Sequence, residues 1–373
     1  MKKILFGIVA LVAGLSAFAQ QDLRWWTPDH AEGICVQDKE HIYHRLPAYM
    51  QAQVRPDVWE LGLNTAGEYI HFRTTARSLV VRYRPGAGAK SFPHMPETGV
   101  SGVDLYAIDR NGNYNWASPK YRFGDTCTYT YSHLRVDGAA GDMADYYLYL
   151  PLYNTVERLE IGCASSDSFS FVPPDRGSPI VAYGTSIMQG AVASRPGLAW
   201  TNILGRELHR EVINLGFSGN GRFERPIFEL MAKADAALYI LDCMPNLVGG
   251  DHAHEEMVKG RVDTGIQILR AAHPGVPVLL VEHADGHMPF NMDTAAVNKY
   301  HRASLLMRSI YKELVARGIR GLYLLTEDEI GFDENCTVEG THPTDIGMMA
   351  YAAAYEKKIR RIMSDPATKK LRK

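Results

Sequence analysis

The chain has 373 residues, of which 46% are hydrophobic and 22% charged, and its formal net charge is -2. This length exceeds the usual size of one domain, so we expect two domains with ample hydrophobic core. The charge is balanced and no cluster of Lys and Arg is interleaved with aromatic residues, which argues against a nucleic-acid partner.

Residues 1–19 are typical of a secretory signal peptide. Two lysines precede an apolar run that ends near Leu15, and an Ala-Phe-Ala sequence ending at Ala19 supplies the small residues of a cleavage site. We expect the mature protein to start at Gln20 and to be exported to a periplasmic or extracellular space. No later stretch approaches the roughly 20 apolar residues of a membrane-spanning helix, so we expect no membrane span.

Residues 20–175 are predicted to form a domain of short β-strands. Aromatic and β-branched residues alternate with polar ones, turn formers separate the runs, and no helical period persists. The pattern predicts an N-terminal β-sandwich of the jelly-roll type. The clearest strands are 69–73, 79–84, 103–109 and 146–150, with a hairpin turn at 111–113.

A Pro-rich and Gly-containing segment at 173–179 marks the domain boundary, which we place between residues 175 and 176. Beyond it, predicted strands alternate with helices, which favours a parallel sheet covered on both faces, a three-layer flavodoxin-like α/β domain over 176–373. The predicted strands are 180–183, 212–215, 236–241, 278–281 and 322–325. The apolar faces of two predicted helices are Ile227, Leu230, Met231 and Ala234, after Pro226, and Met257, Val262, Ile266 and Leu269.

Ser186 follows the first of these strands, where Gly184 and Thr185 interrupt the apolar run. A serine at the carboxyl end of a buried strand exposes its hydroxyl at the edge where open α/β sheets hold ligands. Ser186 is therefore a candidate nucleophile, although a simple turn serine has the same local sequence.

Further motifs follow the serine in order, and another precedes it. The later ones are Gly216-Phe217-Ser218-Gly219-Asn220-Gly221, Cys243-Met244-Pro245-Asn246 and Glu339-Gly340-Thr341-His342-Pro343. With the serine, this ordered set resembles the blocks of the SGNH/GDSL hydrolases, which are carboxylic ester hydrolases. The earlier motif, Gly102-Val103-Asp104-Leu105-Tyr106, resembles the GxDLY signature of an N-terminal domain found in one branch of that family.

The resemblance implies that Ser186 is the nucleophile and His342 the general base. The family usually has an aspartate three residues before the histidine, where this chain has Glu339. A glutamate has the same charge and one more methylene, so it either orients the imidazole or is a solvated loop acid that leaves a Ser-His dyad.

The resemblance also implies an oxyanion hole of three donors: the backbone N–H groups of Ser186 and Gly219 and the side chain of Asn246. The family often has Gly-x-Asn-Asp in the third block, and this chain has Met244 and Leu247 at the first and last of those positions. Asn220 is the alternative donor.

Other residues leave alternatives open. A polar cluster follows the predicted strand 278–281: Glu282, His283, Asp285 and His287. These residues contact substrate, bind a metal ion or are ordinary polar residues of the surface. Cys243 and Cys336 either form a disulfide bond or, like the other three cysteines, are buried thiols. His94 lies on a Gly/Pro-rich segment, which is either a loop that reaches over the active site or a segment remote from it. Some aromatic residues of the first domain either stack on sugar rings or belong to its core: Trp59, Tyr106, Trp116 and Tyr149.

Relatives that combine these two domains are often carbohydrate esterases. The resemblance therefore implies removal of acetyl or other small acyl groups from a glycan partner through an acyl-enzyme, without metal or other cofactor. Neutral His342 is required as the base, so activity should fall in acid. A lipase or thioesterase would use the same residues, and a glycan-binding protein without activity would keep the same fold.

Overall fold

The computed structural model describes residues 22–134, 142–174 and 177–371. The expected signal peptide, the start at Gln20 and the boundary between residues 175 and 176 lie outside these ranges. The strands are β1 (Leu23–Trp26), β2 (Tyr69–Thr74), β3 (Leu79–Pro85), β4 (Asp104–Ile108), β5 (Tyr114–Ala117), β6 (Lys120–Arg122), β7 (Cys127–Tyr131), β8 (Ala144–Tyr149), β9 (Val156–Ala164), β10 (Phe169–Phe171), β11 (Ile180–Gly184), β12 (Val212–Gly216), β13 (Leu238–Asp242), β14 (Val278–Val281) and β15 (Leu322–Leu325).

Helices are concentrated in the second half of the chain. They are α1 (Pro56–Gly62), α2 (Glu97–Val100), α3 (Ser186–Gln189), α4 (Trp200–Leu208), α5 (Arg225–Met231), α6 (His252–Ala272), α7 (Thr294–Ala316), α8 (Glu327–Ile330), α9 (Asp345–Ser364) and α10 (Pro366–Leu371). Within the described ranges, no helix is both long and apolar enough to cross a membrane.

The first ten strands form two antiparallel sheets, in the orders β1-β9-β3-β7-β6 and β10-β2-β8-β4-β5. Side chains from both sheets share one hydrophobic core. Strand β7 shows the sequence reason, because buried residues alternate with partly exposed ones along it and so one face packs on the core. The predicted hairpin joins β4 to β5, with Gly112 at a φ of 83°. The β domain is confirmed, and its jelly-roll topology stays a prediction.

The last five strands form a parallel sheet in the order β12-β11-β13-β14-β15, which is the strand order of flavodoxin-like folds. Every residue of β11 to β14 is buried, because helices α5, α6 and α7 cover one face and α4 and α9 the other. The predicted layer arrangement of this α/β domain is confirmed.

The two predicted amphipathic helices are also present. Helix α5 begins at Arg225, and the apolar face predicted for it is buried, with Ala234 lying just beyond its last turn. In α6, the residues predicted to face the core are buried except Met257, which is partly buried. These helices therefore pack through the stripe that the 3.6-residue period indicated.

The GxDLY motif joins the β domain to the α/β domain. Its Asp104 is buried and accepts hydrogen bonds from the Trp116 indole at 2.6 Å, from the Gly197 backbone N–H at 2.9 Å and from the Arg195 guanidinium. Tyr106 accepts a second hydrogen bond from Arg195 at 2.7 Å. The motif therefore binds the segment that precedes α4.

Candidate active site

Ser186 lies where β11 ends and α3 begins. The Thr185 side chain accepts a hydrogen bond from the Ile187 backbone N–H and so caps this single helical turn. The strand order reverses between β11 and β13, and open α/β sheets bind ligands at such a reversal. The serine is 6% exposed, so most of its surface is covered by the surrounding protein.

Three side chains form a continuous hydrogen-bonded chain at this point. Ser186 Oγ donates to His342 Nε2 at 2.9 Å, and His342 Nδ1 donates to Glu339 Oε1 at 2.6 Å. The same carboxylate oxygen accepts the His342 backbone N–H at 3.0 Å. The longer glutamate therefore reaches the ring, and its negative charge can stabilise the imidazolium that forms when Nε2 takes a proton.

The loop that carries His342 is held on both sides. Thr337 and Pro343 form an isolated β-bridge across it, and the Pro343 carbonyl accepts the Val192 backbone N–H at 3.1 Å. Thr344 caps α9, because its side chain accepts the Gly347 backbone N–H. The imidazole is therefore positioned by the segment after Ser186 and by the helix that follows.

The three predicted oxyanion donors follow β11, β12 and β13, which are neighbours in the sheet. Gly219 has a φ of 68°, and a Cβ there would have no atom within 4 Å, so the space beside its Cα is open. Asn246 accepts the Gly221 backbone N–H through Oδ1 at 3.0 Å, and its Nδ2 has no hydrogen-bond acceptor among the described residues. With the Ser186 backbone N–H, these groups are suited to bind an oxyanion.

Two family models match this chain. A model of the GDSL-like lipase/acylhydrolase family matches residues 177–360, and a model of the N-terminus of SGNH-hydrolase-type esterases matches residues 23–169. This chain belongs to the GDSL-like lipase/acylhydrolase family. It is therefore an ester-bond hydrolase. No curated protein sequence matches the chain.

Solved structures share the fold of this GDSL-like hydrolase. A GDSL-like lipase from Bacteroides ovatus has a TM-score of 0.81 and 28% identity, over 92% of this chain and 98% of that one. A salicylyl-acyltransferase from a tetracycline biosynthetic pathway has a TM-score of 0.72 and 18% identity, over 92% and 99%. A family two carbohydrate esterase from Cellvibrio japonicus has a TM-score of 0.53 and 11% identity, over 92% and 99%.

Several predicted contacts of this GDSL-like hydrolase need correction. Asn220, the alternative oxyanion donor, has its side chain fixed by two hydrogen bonds: its Nδ2 donates to the Ser218 carbonyl at 3.0 Å and its Oδ1 accepts from Arg55 at 2.6 Å. Its role as a donor stays a prediction. His283 and Asp285 are completely buried, so they cannot contact substrate.

His287 and Glu282, from the same polar cluster, are paired with other residues. The His287 ring is half-exposed and pairs with Asp328 at 3.0 Å, while Glu282 receives two hydrogen bonds from Arg308. Among the residues that the structure describes, no group of three His, Cys, Asp or Glu side chains could hold a metal ion.

The structure decides between the alternatives that the sequence left open for the cysteines and for three of the aromatic residues. Cys243 and Cys336 are free thiols, so the disulfide alternative is wrong. Tyr106 and Tyr149 are buried at 5% exposure and cannot stack on a sugar. Trp116 is exposed, but its indole nitrogen is bonded to Asp104.

Two residues that support the nucleophile were not predicted. Gln189 accepts the Ser218 backbone N–H at 3.0 Å and donates to the Leu152 carbonyl at 3.2 Å, and Tyr153 donates to the Ser186 carbonyl at 3.2 Å. The sequence signal for Gln189 is a polar residue one turn after the serine, in a stretch whose neighbours are apolar and are expected to be buried. Nothing in the sequence around Tyr153 points to its contact.

Proposed function

We propose that this hydrolase is an exported serine esterase that removes acetyl or other small acyl groups from glycans through an acyl-enzyme on Ser186. The observation that carries the proposal is the hydrogen-bonded chain from Ser186 through His342 to Glu339. A nucleophile, a base and an acid that orients the base, in hydrogen-bond contact, are the parts that acyl transfer needs.

In the first half-reaction, Ser186 Oγ attacks the ester carbonyl carbon and its proton moves to His342 Nε2. The carbonyl oxygen becomes an oxyanion at the three donors that follow β11, β12 and β13. The intermediate then breaks the bond to the leaving oxygen, which takes the proton from Nε2 and departs as the alcohol. The acyl group remains on Ser186.

In the second half-reaction, a water molecule gives a proton to His342 Nε2 and attacks the acyl carbon. The second oxyanion occupies the same donors, and its collapse breaks the bond to Ser186 Oγ. The Nε2 proton returns to Oγ, and the carboxylic acid leaves. Glu339 keeps the Nδ1 proton in place throughout and stabilises the imidazolium in both halves.

A glycan ester is supported by the surroundings of the triad and by the shared fold. A cavity of about 350 Å³ beside Glu339 has a mixed polar and apolar lining, including Asn291, Asp293 and Thr337, and such a lining suits a hydroxylated substrate better than a long acyl chain. Family two carbohydrate esterases share the fold, one of them solved with a bound cello-oligosaccharide.

Export is supported by the signal-peptide pattern of residues 1–19. N-terminal sequencing of the protein recovered after secretory expression tests this part of the proposal. A first residue of Gln20 is expected, and a retained Met1 would contradict it.

The decisive experiment compares hydrolysis of 4-nitrophenyl acetate, butyrate and octanoate by the wild type and by Ser186→Ala. We expect acetate to be preferred, and the substitution to lower kcat by about 10⁴-fold or more, since the nucleophile is lost. Ser309→Ala, on α7 and bonded to Glu313, is the matched control and should keep the wild-type rate.

Other outcomes separate the alternatives. Preference for octanoate would favour a lipase, and full activity in Ser186→Ala would overturn the assignment of the nucleophile. No turnover of any ester by the wild type, together with tight binding of an oligosaccharide, would replace the esterase by a glycan-binding protein.

A further inference from the structure

A tight turn from the β domain lies beside the triad. Phe92 donates its backbone N–H to the Met95 carbonyl at 2.9 Å, and Met95 donates back to the Phe92 carbonyl at 3.0 Å. These two hydrogen bonds close a four-residue turn with Pro93 and His94 at its tip. The backbone of His94 is therefore held by hydrogen bonds and by the restricted φ of the preceding proline.

Both ends of the turn pack on the hydrophobic core that covers one face of the parallel sheet. Met95 is 2% exposed and belongs to the core on the α4 and α9 face of the parallel sheet. Phe92 packs edge-on against Tyr153, with ring centroids 5.6 Å apart, and Tyr153 donates to the Ser186 carbonyl. The position of the turn is thus coupled to the position of the nucleophile.

His94 faces the catalytic histidine from the tip of this turn. Its ring centroid is 5.8 Å from that of His342, and its side chain is exposed. No residue that the structure describes forms a hydrogen bond with the His94 ring, so both of its nitrogens are available to a substrate. A neutral imidazole offers one donor and one acceptor, which matches the hydroxyl groups of a sugar.

The place of His94 beside His342 identifies the part of the substrate that it meets. In the tetrahedral intermediate the oxyanion lies on its three donors, whereas the leaving oxygen lies on His342 Nε2 to receive a proton. The group that borders the His342 ring is therefore the alcohol part of the ester and not the acyl chain.

We propose that His94 is a substrate-binding residue that hydrogen-bonds a hydroxyl of the leaving alcohol next to the acylated oxygen. The β domain thereby selects esters of polyhydroxylated alcohols, such as sugars, over esters of simple alcohols. This inference rests on the proposed function, because it takes Ser186 as the nucleophile and His342 as the proton donor to the leaving group.

The test compares two acetyl esters in wild type, His94→Ala, His94→Gln and the control Ser91→Ala, which is exposed just before the same turn. One substrate is 4-nitrophenyl acetate, which has no hydroxyl, and the other is mono-acetylated cellobiose. Both esters give the same acetyl-enzyme, so a difference between them reports only on the alcohol.

We expect His94→Ala to lower kcat/KM for acetylated cellobiose by about 10- to 100-fold, the effect of one or two lost hydrogen bonds in a site. Hydrolysis of 4-nitrophenyl acetate should stay within about threefold of the wild type. His94→Gln keeps a donor and an acceptor and should recover part of the sugar-ester activity. Ser91→Ala should match the wild type on both esters.

Equal losses on both esters in His94→Ala would overturn the inference, because they would show that the ring only positions His342. Unchanged activity on both would overturn it too. Wild-type turnover of 4-nitrophenyl acetate without turnover of acetylated cellobiose would reject the sugar selection and leave the esterase assignment standing. Failure of the wild type on both esters would instead reject the proposed function, and this inference with it.

Discussion

Two loops at the same edge of the parallel sheet carry similar residues and differ in their surroundings. The loop after β14 has His283 and Asp285, and the loop before α9 has Glu339 and His342. In the second loop the imidazole and the carboxylate are 2.6 Å apart, and their side chains are 26% and 46% exposed. In the first loop both side chains are completely buried.

Burial has opposite consequences for the charge of each group in the loop after β14. It lowers the pKa of His283 to about 3, with a smaller contribution from the Lys299 ammonium, and raises the pKa of Asp285 well above its usual range. Neither oxygen of Asp285 accepts a hydrogen bond within the described residues. An acid and a histidine near a strand end therefore become a catalytic pair only where solvent and a third partner remain within reach.

The largest expected effect comes from removing the charge of the acid in the exposed loop. Glu339→Gln keeps an oxygen that can accept the Nδ1 proton of His342, but it no longer stabilises the imidazolium. We expect kcat for 4-nitrophenyl acetate to fall by about 10² to 10⁴-fold. Asp285→Asn is the matched change in the buried loop and should stay within about threefold.

Initial rates of the two variants at saturating ester decide between a triad and a dyad. If Glu339→Gln turned over as fast as the wild type, Glu339 would be a solvated loop acid, and His342 would act with Ser186 alone.

The second effect is on stability and concerns the buried histidine. The unfolded chain binds a proton at His283 below pH ~6.5, whereas the folded protein does so only near pH 3. The contribution of His283 to the free energy of unfolding is therefore complete above pH ~6.5. It is lost as the pH falls, by roughly 3 kcal/mol between pH 7 and pH 4. His283→Phe keeps a ring that can stack on Tyr300 and takes no proton.

Urea unfolding at pH 7 and pH 4 measures the difference. We expect the free energy of unfolding to fall less between these pH values in His283→Phe than in the wild type. Equal losses in the two proteins would show that His283 is protonated in the folded state.

The smallest effect is expected at His287, at the exposed end of the loop after β14. Its ring and the Asp328 carboxylate are 50% and 65% exposed, and such surface pairs contribute little. His287→Ala should change the free energy of unfolding by less than about 0.5 kcal/mol and leave kcat on acetate unchanged. A tenfold drop in kcat would make His287 a substrate contact after all.

Much of the α/β domain was predictable because its signals are local. Strands β14 and β15 have the predicted bounds, since both are short apolar runs that end at polar or turn residues. The N-terminal cap of α9 at Thr344 was also predictable from residue type. Strand β13 begins at Leu238, two residues later than predicted, because small apolar residues such as Ala236 do not distinguish a strand from the turn before it.

The sequence by itself determined the order of the motifs, the change from β-strands to alternating strands and helices, and the identities of the nucleophile and base candidates. Each depends on residues that are neighbours along the chain. Only the tertiary structure decided that the Glu339 carboxylate contacts His342, that the Asp285 carboxylate is buried without a hydrogen-bond partner among the described residues, and that His94 lies beside the triad. The first outcome depends on how one loop folds, and the other two depend on the packing of segments remote in sequence.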